Sequence, residues 1–147
     1  MKFAGAQQRV TTMQADLNAI GAVVYRFFLG LDQRDNQGVA ALMAKEGVWH
    51  RQGADLVGPA EVLAALEKRD PKRRTAHTVT NLWVESATQE AVRVRYYLVA
   101  YETAVDAQGR EGEPKMLGVR DGTDDLVLED GSWRVRRKHS CPFLPAE

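Results

Sequence analysis

Cysteine is nearly missing from this chain: Cys141 is the single one among 147 residues. One thiol excludes a disulfide framework within the chain and a cysteine-only metal site. It suits a reducing compartment, so a cytoplasmic protein is expected. An excess of either charge is missing too, with 20 Lys and Arg against 20 Asp and Glu. Without a global basic field, no nucleic-acid partner is expected. No apolar run approaches the roughly 20 residues that cross a bilayer, so no membrane partner is expected either. The opening stretch, Met1 to Arg9, has no continuous apolar segment of the kind a secretory signal needs. There is no P-loop, no Gly-x-Gly-x-x-Gly and no Gly-x-Ser-x-Gly, which leaves nucleotide and serine-hydrolase chemistry without support. His50, His77, His139 and Cys141 fall at no metal-ligand spacing, and neither a metal nor another cofactor is expected.

What is present fits an ordinary soluble domain. The sequence is 44% hydrophobic and 27% charged, and its length suits one domain with one core. Residues 1–10 lack periodicity and read as a flexible leader, leaving 11–147 as a single domain. Met13, Leu17, Ile20, Val24, Phe27, Phe28 and Leu31 recur at three- and four-residue steps, the pattern of one helical face. Thr11 with Gln14 has capping-box spacing at its start. Asp35 reads as the N-cap of a short second helix carrying Val39, Leu42 and Met43. Gly47 to Arg51 is β-favourable and is followed by a turn. Gly58-Pro59 opens a third helix with Val62, Leu63 and Leu66 on its buried side, and Asp70-Pro71 ends it.

Beyond Pro71 the pattern changes. Four long segments, Thr75–Glu85, Ala91–Thr103, Lys115–Glu129 and Ser132–His139, are rich in valine, threonine and aromatics and are separated by turn signals. Helices followed by a meander of strands predict an α+β fold with the helices on one face of an antiparallel sheet. Gly118 and Gly122 predict a bulge or bend in the third of these strands. A bent sheet under helices leaves a hollow for a small-molecule ligand.

Three stretches carry a resemblance to a known family. They are Phe28 to Asp35 at the end of the first helix; Gly58 to Val62 followed by Arg74-Thr75-Ala76-His77-Thr78-Val79-Thr80-Asn81; and Asp125-Leu126-Val127-Leu128 leading to Gly131-Ser132-Trp133-Arg134-Val135-Arg136-Arg137. In order and spacing they resemble the SnoaL-like branch of the nuclear transport factor two-like superfamily. The resemblance implies a cone-shaped roll, with three N-terminal helices on the concave face of a curved, mostly antiparallel sheet. That fold hosts dehydratases, isomerases, cyclases and non-catalytic modules, so it does not fix the function. The local sequence Arg74-Thr75-Ala76-His77 is similar to the scytalone dehydratase type, which pairs such a histidine with an aspartate at the end of the first helix, here Asp32. A second histidine of that family is Tyr101 here, and the tyrosine beside its aspartate is Leu31. Another of its pocket tyrosines falls near Trp49.

These matches imply catalytic roles for Asp32 and His77. A carboxylate beside an imidazole fixes its tautomer, and the imidazole can then carry a proton between two substrate positions. Asp32 as a cap or salt-bridge partner, and His77 as a hydrogen-bonded core histidine, are the structural readings of the same residues. Tyr97 and Tyr101 share strand parity and, with Asn81 and Trp49, are expected to bind substrate. Arg93 and Arg95 share that parity too, which requires either a solvated strand start or a bulge before Tyr97. Lys68, Arg69, Lys72, Arg73 and Arg74 suit a solvated helix end, with an anionic substrate edge as the lesser reading.

The leading expectation is a cofactor-independent lyase or isomerase, with dehydratase-type acid–base chemistry on a small hydrophobic or aromatic substrate. The alternative is a non-catalytic ligand-binding module or an accessory subunit resembling a ring-hydroxylating dioxygenase small subunit. Val92, Val94, Tyr96, Leu98 and Ala100 alternate onto one face. If that face is the outer one, it offers a patch for a partner or for a homodimer through the outer sheet face.

Overall fold

The computed structural model describes residues 4–146. Its elements run α1 (Ala4–Gln33), α2 (Asn36–Ala41), β1 (Met43–Arg51), β2 (Ala54–Val57), α3 (Gly58–Glu67), β3 (Arg73–Ala87), β4 (Ala91–Ala104), β5 (Lys115–Glu129) and β6 (Ser132–Leu144). The six strands form one sheet in the order β2-β1-β6-β5-β4-β3. Every neighbouring pair is antiparallel except β1 with β6, which is parallel. The expected α+β class, with N-terminal helices on a curved and mostly antiparallel sheet, is the observed one.

The first helix is longer than its periodicity suggests. Its backbone is helical from Ala4, so the segment expected as a leader is helix over residues 4–10, and residues 1–3 lie outside the described ones. Ala, Gln and Arg, which make up most of residues 4–10, are good helix formers, and their propensity extends a helix without any apolar stripe. Thr11 is therefore interior to the helix rather than at its cap; its side chain and those of Met13 and Gln14 lie outside the described residues. From Ile20 onward the stripe is buried as expected, with Val24 and Phe27 fully so and Ile20, Phe28 and Leu31 nearly so. Each such side chain contributes about 1.5–3 kcal/mol of burial. Leu17, at the outer end of the stripe, is exposed.

Arg34 ends α1 in the left-handed region (φ 58°), and Asp35 N–H bonds back to the Gly30 carbonyl at 2.9 Å. This is a helix stop in which the reversed backbone satisfies an orphan carbonyl. Asp35 then caps α2, accepting from Gly38 N–H at 2.9 Å.

Strand parity decides what faces the helices. On β4, Val92, Val94, Tyr96 and Leu98 are buried beneath α1 and belong to the core. The alternating set expected as a candidate outer patch is thus the inner face, and it is not available to a partner or a second copy. The outer face of β4 carries Arg93 and Arg95 instead, bonded to Asp125 at 2.7 Å and Asp121 at 2.5 Å across the β4–β5 pairing. No bulge intervenes before Tyr97, so Tyr97 continues on that outer face.

Two glycines on β5 shape the sheet. Gly118 sits at φ 129° beside the register shift between β4 and β5, the bend expected from its position. Gly122 lies under the Tyr96 ring, where a Cβ would stand 2.3 Å from a ring carbon.

The outer ion pairs have a pH consequence. Hydrogen bonds from Arg93 hold the Asp125 carboxyl below its ordinary value of 3.8. A carboxyl depressed in the folded state stabilises the fold above its unfolded value and loses that contribution as pH falls through the folded one. Thermal denaturation of Asp125→Asn should therefore show a shallower fall in Tm than the parent on acidification below about pH 4. Parallel acid limbs for the two proteins would show that the pairing contributes nothing.

Candidate functional site

A cavity of about 370 Å³ opens between the end of α1, the start of β3 and the concave face of the sheet. Its apolar wall includes Phe28, Leu31, Trp49 and Leu98. Asp32 stands behind two of its lining residues, Thr75 and His77, because it lies four residues beyond Phe28 and eight beyond Val24, on the same helical face. A carboxylate in the last turn of a helix is disfavoured by the macrodipole. Here three donors from β3 offset that cost. Thr75 Oγ1 donates to Asp32 Oδ1 at 2.9 Å, His77 N–H donates to Oδ2 at 2.8 Å, and His77 Nδ1 lies 2.6 Å from Oδ1. An ionised carboxylate only accepts, so this contact places the proton of a neutral His77 on Nδ1 and leaves Nε2 as the basic atom. The His77 side chain is 14% exposed and its ring lies 5.3 Å from that of Phe28.

Thr75 and His77 face inward because β3 alternates cleanly from Arg73 to Val79. The alternation breaks at Asn81, which adopts φ 54° within a register shift between Thr80 and Trp83. The extra residue resets parity, so Leu82 and Val84 turn inward and Asn81 and Trp83 turn out. Asn81, expected to bind substrate from its parity with His77, is therefore exposed and away from the cavity. Tyr97 is on the outer face, stacked on Phe143 with ring centroids 4.9 Å apart. Tyr101 is on that face too, paired with Ala76 of the edge strand β3 and exposed. Of the residues expected to bind substrate, Trp49 lines the cavity, edge-on to Phe27 at 5.0 Å, while Asn81, Tyr97 and Tyr101 do not.

Two polar residues that line the cavity, Tyr96 and Lys138, and Asp124 buried behind them were not among the expected ones. Lys138 of β6 is 2% exposed; its Nζ donates to Asp124 Oδ2 at 2.6 Å and to Tyr96 Oη at 2.9 Å. Tyr96 Oη in turn donates to Asp124 Oδ1 at 2.9 Å. The ammonium also lies 4.4 Å from the ring centroids of both Phe27 and Phe28. Burial lowers the Lys138 pKa, and burial beside Asp124 raises that of the Tyr96 phenol well above 10.0. The phenol therefore stays protonated and committed to Asp124. Tyr96 shares the parity of Val94, but Lys138 does not share that of Val135: the register shift beside Asp125 and Leu126 places an extra residue on β6 and turns Lys138 inward, opposite Asp124.

Removing one member should be costly. Lys138→Met strands a buried carboxylate and should lower unfolding stability by about 3–5 kcal/mol. The double variant Lys138→Met/Asp124→Leu should recover much of that loss in urea titrations; a single variant as stable as the parent would show the pair to be dispensable.

Comparisons with known proteins agree with this architecture. A family model described as a SnoaL-like domain matches residues 13–139. Among solved structures, an NTF2-like protein with a cystatin-like fold from Novosphingobium aromaticivorans superposes with TM-score 0.79 at 16% identity, over 97% of this chain and 92% of its own. A candidate scytalone dehydratase from the same organism gives 0.77 at 18% identity, over 91% and 88%. A protein of unknown function from Mycobacterium tuberculosis gives 0.75 at 22%, over 88% and 77%. At these identities the likeness shows the fold alone. A comparison with curated proteins gives no match. The family model spans both α1, which carries Asp32, and β3, which carries His77, and on that match the chain belongs to the SnoaL-like domain family.

Proposed function

We propose that this chain is a cofactor-independent lyase or isomerase that uses dehydratase-type acid–base chemistry on a small substrate with an apolar ring. The observation that carries the reading is the 2.6 Å contact of Asp32 Oδ1 with His77 Nδ1 at a cavity walled by Phe28, Leu31, Trp49 and Leu98. With Nδ1–H held by Asp32, Nε2 takes a proton from carbon alpha to a substrate carbonyl. The imidazolium formed lies against the Asp32 carboxylate, which balances its charge where water is scarce. His77 then returns the proton, to a leaving hydroxyl in a dehydration or to another carbon in an isomerisation. Tyr96 takes no part in this transfer, because its hydroxyl is engaged by Asp124 and Lys138. The similarity of the fold to a candidate scytalone dehydratase, and to a candidate dehydratase of the NTF2-like family from Streptomyces avermitilis, supports the reaction class.

One observation favours a second reading, a non-catalytic binding module or accessory subunit. Strand β4 presents Tyr96 and Leu98 to the cavity, so it supplies no second histidine there.

Deuterium exchange at the alpha carbon of 2-tetralone, followed by NMR, separates the two. The acid–base reading expects exchange above the buffer rate, reduced about 10²–10⁴-fold in His77→Gln and strongly in Asp32→Asn. A bound ketone that exchanges at the buffer rate in all three proteins would leave the binding module as the function.

A further inference from the structure

The cavity holds more positive charge than its carboxylates balance. Four arginines border it: Arg51, Arg69, Arg73 and Arg120. Arg73 is paired with Glu102 at 2.5 Å. The other three have no carboxylate partner among the described residues. Arg69 donates to the Leu31 carbonyl at 2.7 Å and to Thr75 Oγ1 at 3.3 Å. Arg120 donates through Nε to Ser140 Oγ and through Nη2 to the Ser140 carbonyl, both at 2.8 Å. Arg51 lies over the Trp49 ring, 5.2 Å from its centroid.

The nearby anions are already committed. Asp32 is held by β3 donors and Asp124 by Lys138 and Tyr96. All three guanidiniums are partly buried, and burial together with neighbouring arginines lowers the pKa of Arg51 and of Arg69. Bringing like charges together out of water is unfavourable unless something of opposite sign completes the set. The bonds that Arg69 and Arg120 make to neutral oxygens fix the direction of each fork but leave its charge unbalanced.

We propose that this cavity takes an organic carboxylate, a small ring acid whose carboxylate is held by Arg51, Arg69 and Arg120 while its ring lies against Trp49 and Phe28. The proposal rests on the reading of this cavity as the substrate site and names the substrate's chemical class; it requires binding there, not turnover. The volume of about 370 Å³ sets the size. It lies near the lower end of small-molecule sites, which suits one ring or two fused rings. The shared edge of Trp49 and Arg51 on β1 sets the arrangement, an apolar face ending in a cation. The basic residues that follow α3 thus divide by position: Arg69 points its charge at the cavity, while Lys68, Lys72 and Arg74 remain exposed.

Titration of the full chain with 2-naphthoate and its neutral isostere 2-naphthamide, by calorimetry, tests this. The acid is expected to bind at least about tenfold more tightly than the amide, as for bonds to a charged group. Its affinity should fall as NaCl rises from about 0.05 M to about 0.5 M. The acid-to-amide ratio should drop severalfold in Arg120→Gln and in Arg51→Gln; a ratio of two affinities in one protein is insensitive to partial loss of folded material. Equal affinity for acid and amide, no binding of the acid, or a ratio unchanged in both variants would overturn the proposal. Tighter binding of 2-naphthyl phosphate than of naphthoate would overturn the carboxylate assignment in favour of a phosphate ester. Because these are equilibrium measurements, a carboxylate preference without alpha-proton exchange would fail the acid–base reading alone, and exchange without the preference would fail this one.

Discussion

A buried ammonium organises this molecule. Lys138 sits in the concave face of the sheet with Asp124 and Tyr96 around its nitrogen and the rings of Phe27 and Phe28 above it. Such a charge is tolerable only when its hydrogen bonds are made and its remaining surface is covered. The cover comes from α1, so the position of the helix over the sheet is tied to the position of the charge. Asp32 lies one turn beyond Phe28, and the distance from helix to strand that seats Phe28 over Lys138 also brings Asp32 within 2.6 Å of His77. A purely apolar contact has no such directional demand and would allow the helix to slide. The cluster below the cavity thus acts on the dyad through packing.

The two faces of the sheet solve different electrostatic problems. On the outer face, arginines of β4 pair with aspartates of β5, and each arginine keeps a side in contact with water, which softens the cost of bringing the charges together. On the inner face, each committed carboxylate has a dedicated partner, Asp124 with Lys138 and Asp32 with His77. Against that background the guanidiniums of Arg51, Arg69 and Arg120, with no carboxylate partner among the described residues, stand out.

The layer order, the helix faces from Ile20 to Leu31, the Asp35 cap and the four long strands were legible because each rests on local chemistry or on periodicity. The Asp32–His77 contact was legible only through family resemblance, since 45 residues separate the two and no local rule joins them. Parity carried across an unseen bulge misplaced Asn81, whose left-handed backbone shifts the residues that follow it, through Val84, by one. Tyr97 and Tyr101 were placed by counting from the wrong face: Arg93 and Arg95 share their parity, and two arginines at the start of a strand are better evidence for the solvated side than two tyrosines are for the buried one. Lys138 and Asp124 escaped notice because charged residues in a strand are ordinarily solvated. Their pairing across β5 and β6 becomes visible only once the register is known.

The turn joining β1 to β2 is two residues long, Gln52-Gly53, with both at positive φ (51° and 78°), the tight hairpin reversal that the strand twist favours. It forms part of the rim of the cavity, whereas Asp32, His77 and Lys138 stand on other elements. Rim and floor are therefore separable to natural selection. A lengthened or rebuilt turn would reshape the mouth of the cavity, and the Asp32–His77 contact and the charge beneath it would be inherited intact. A lineage built this way can remodel the doorway of its cavity while the interior it leads to is kept.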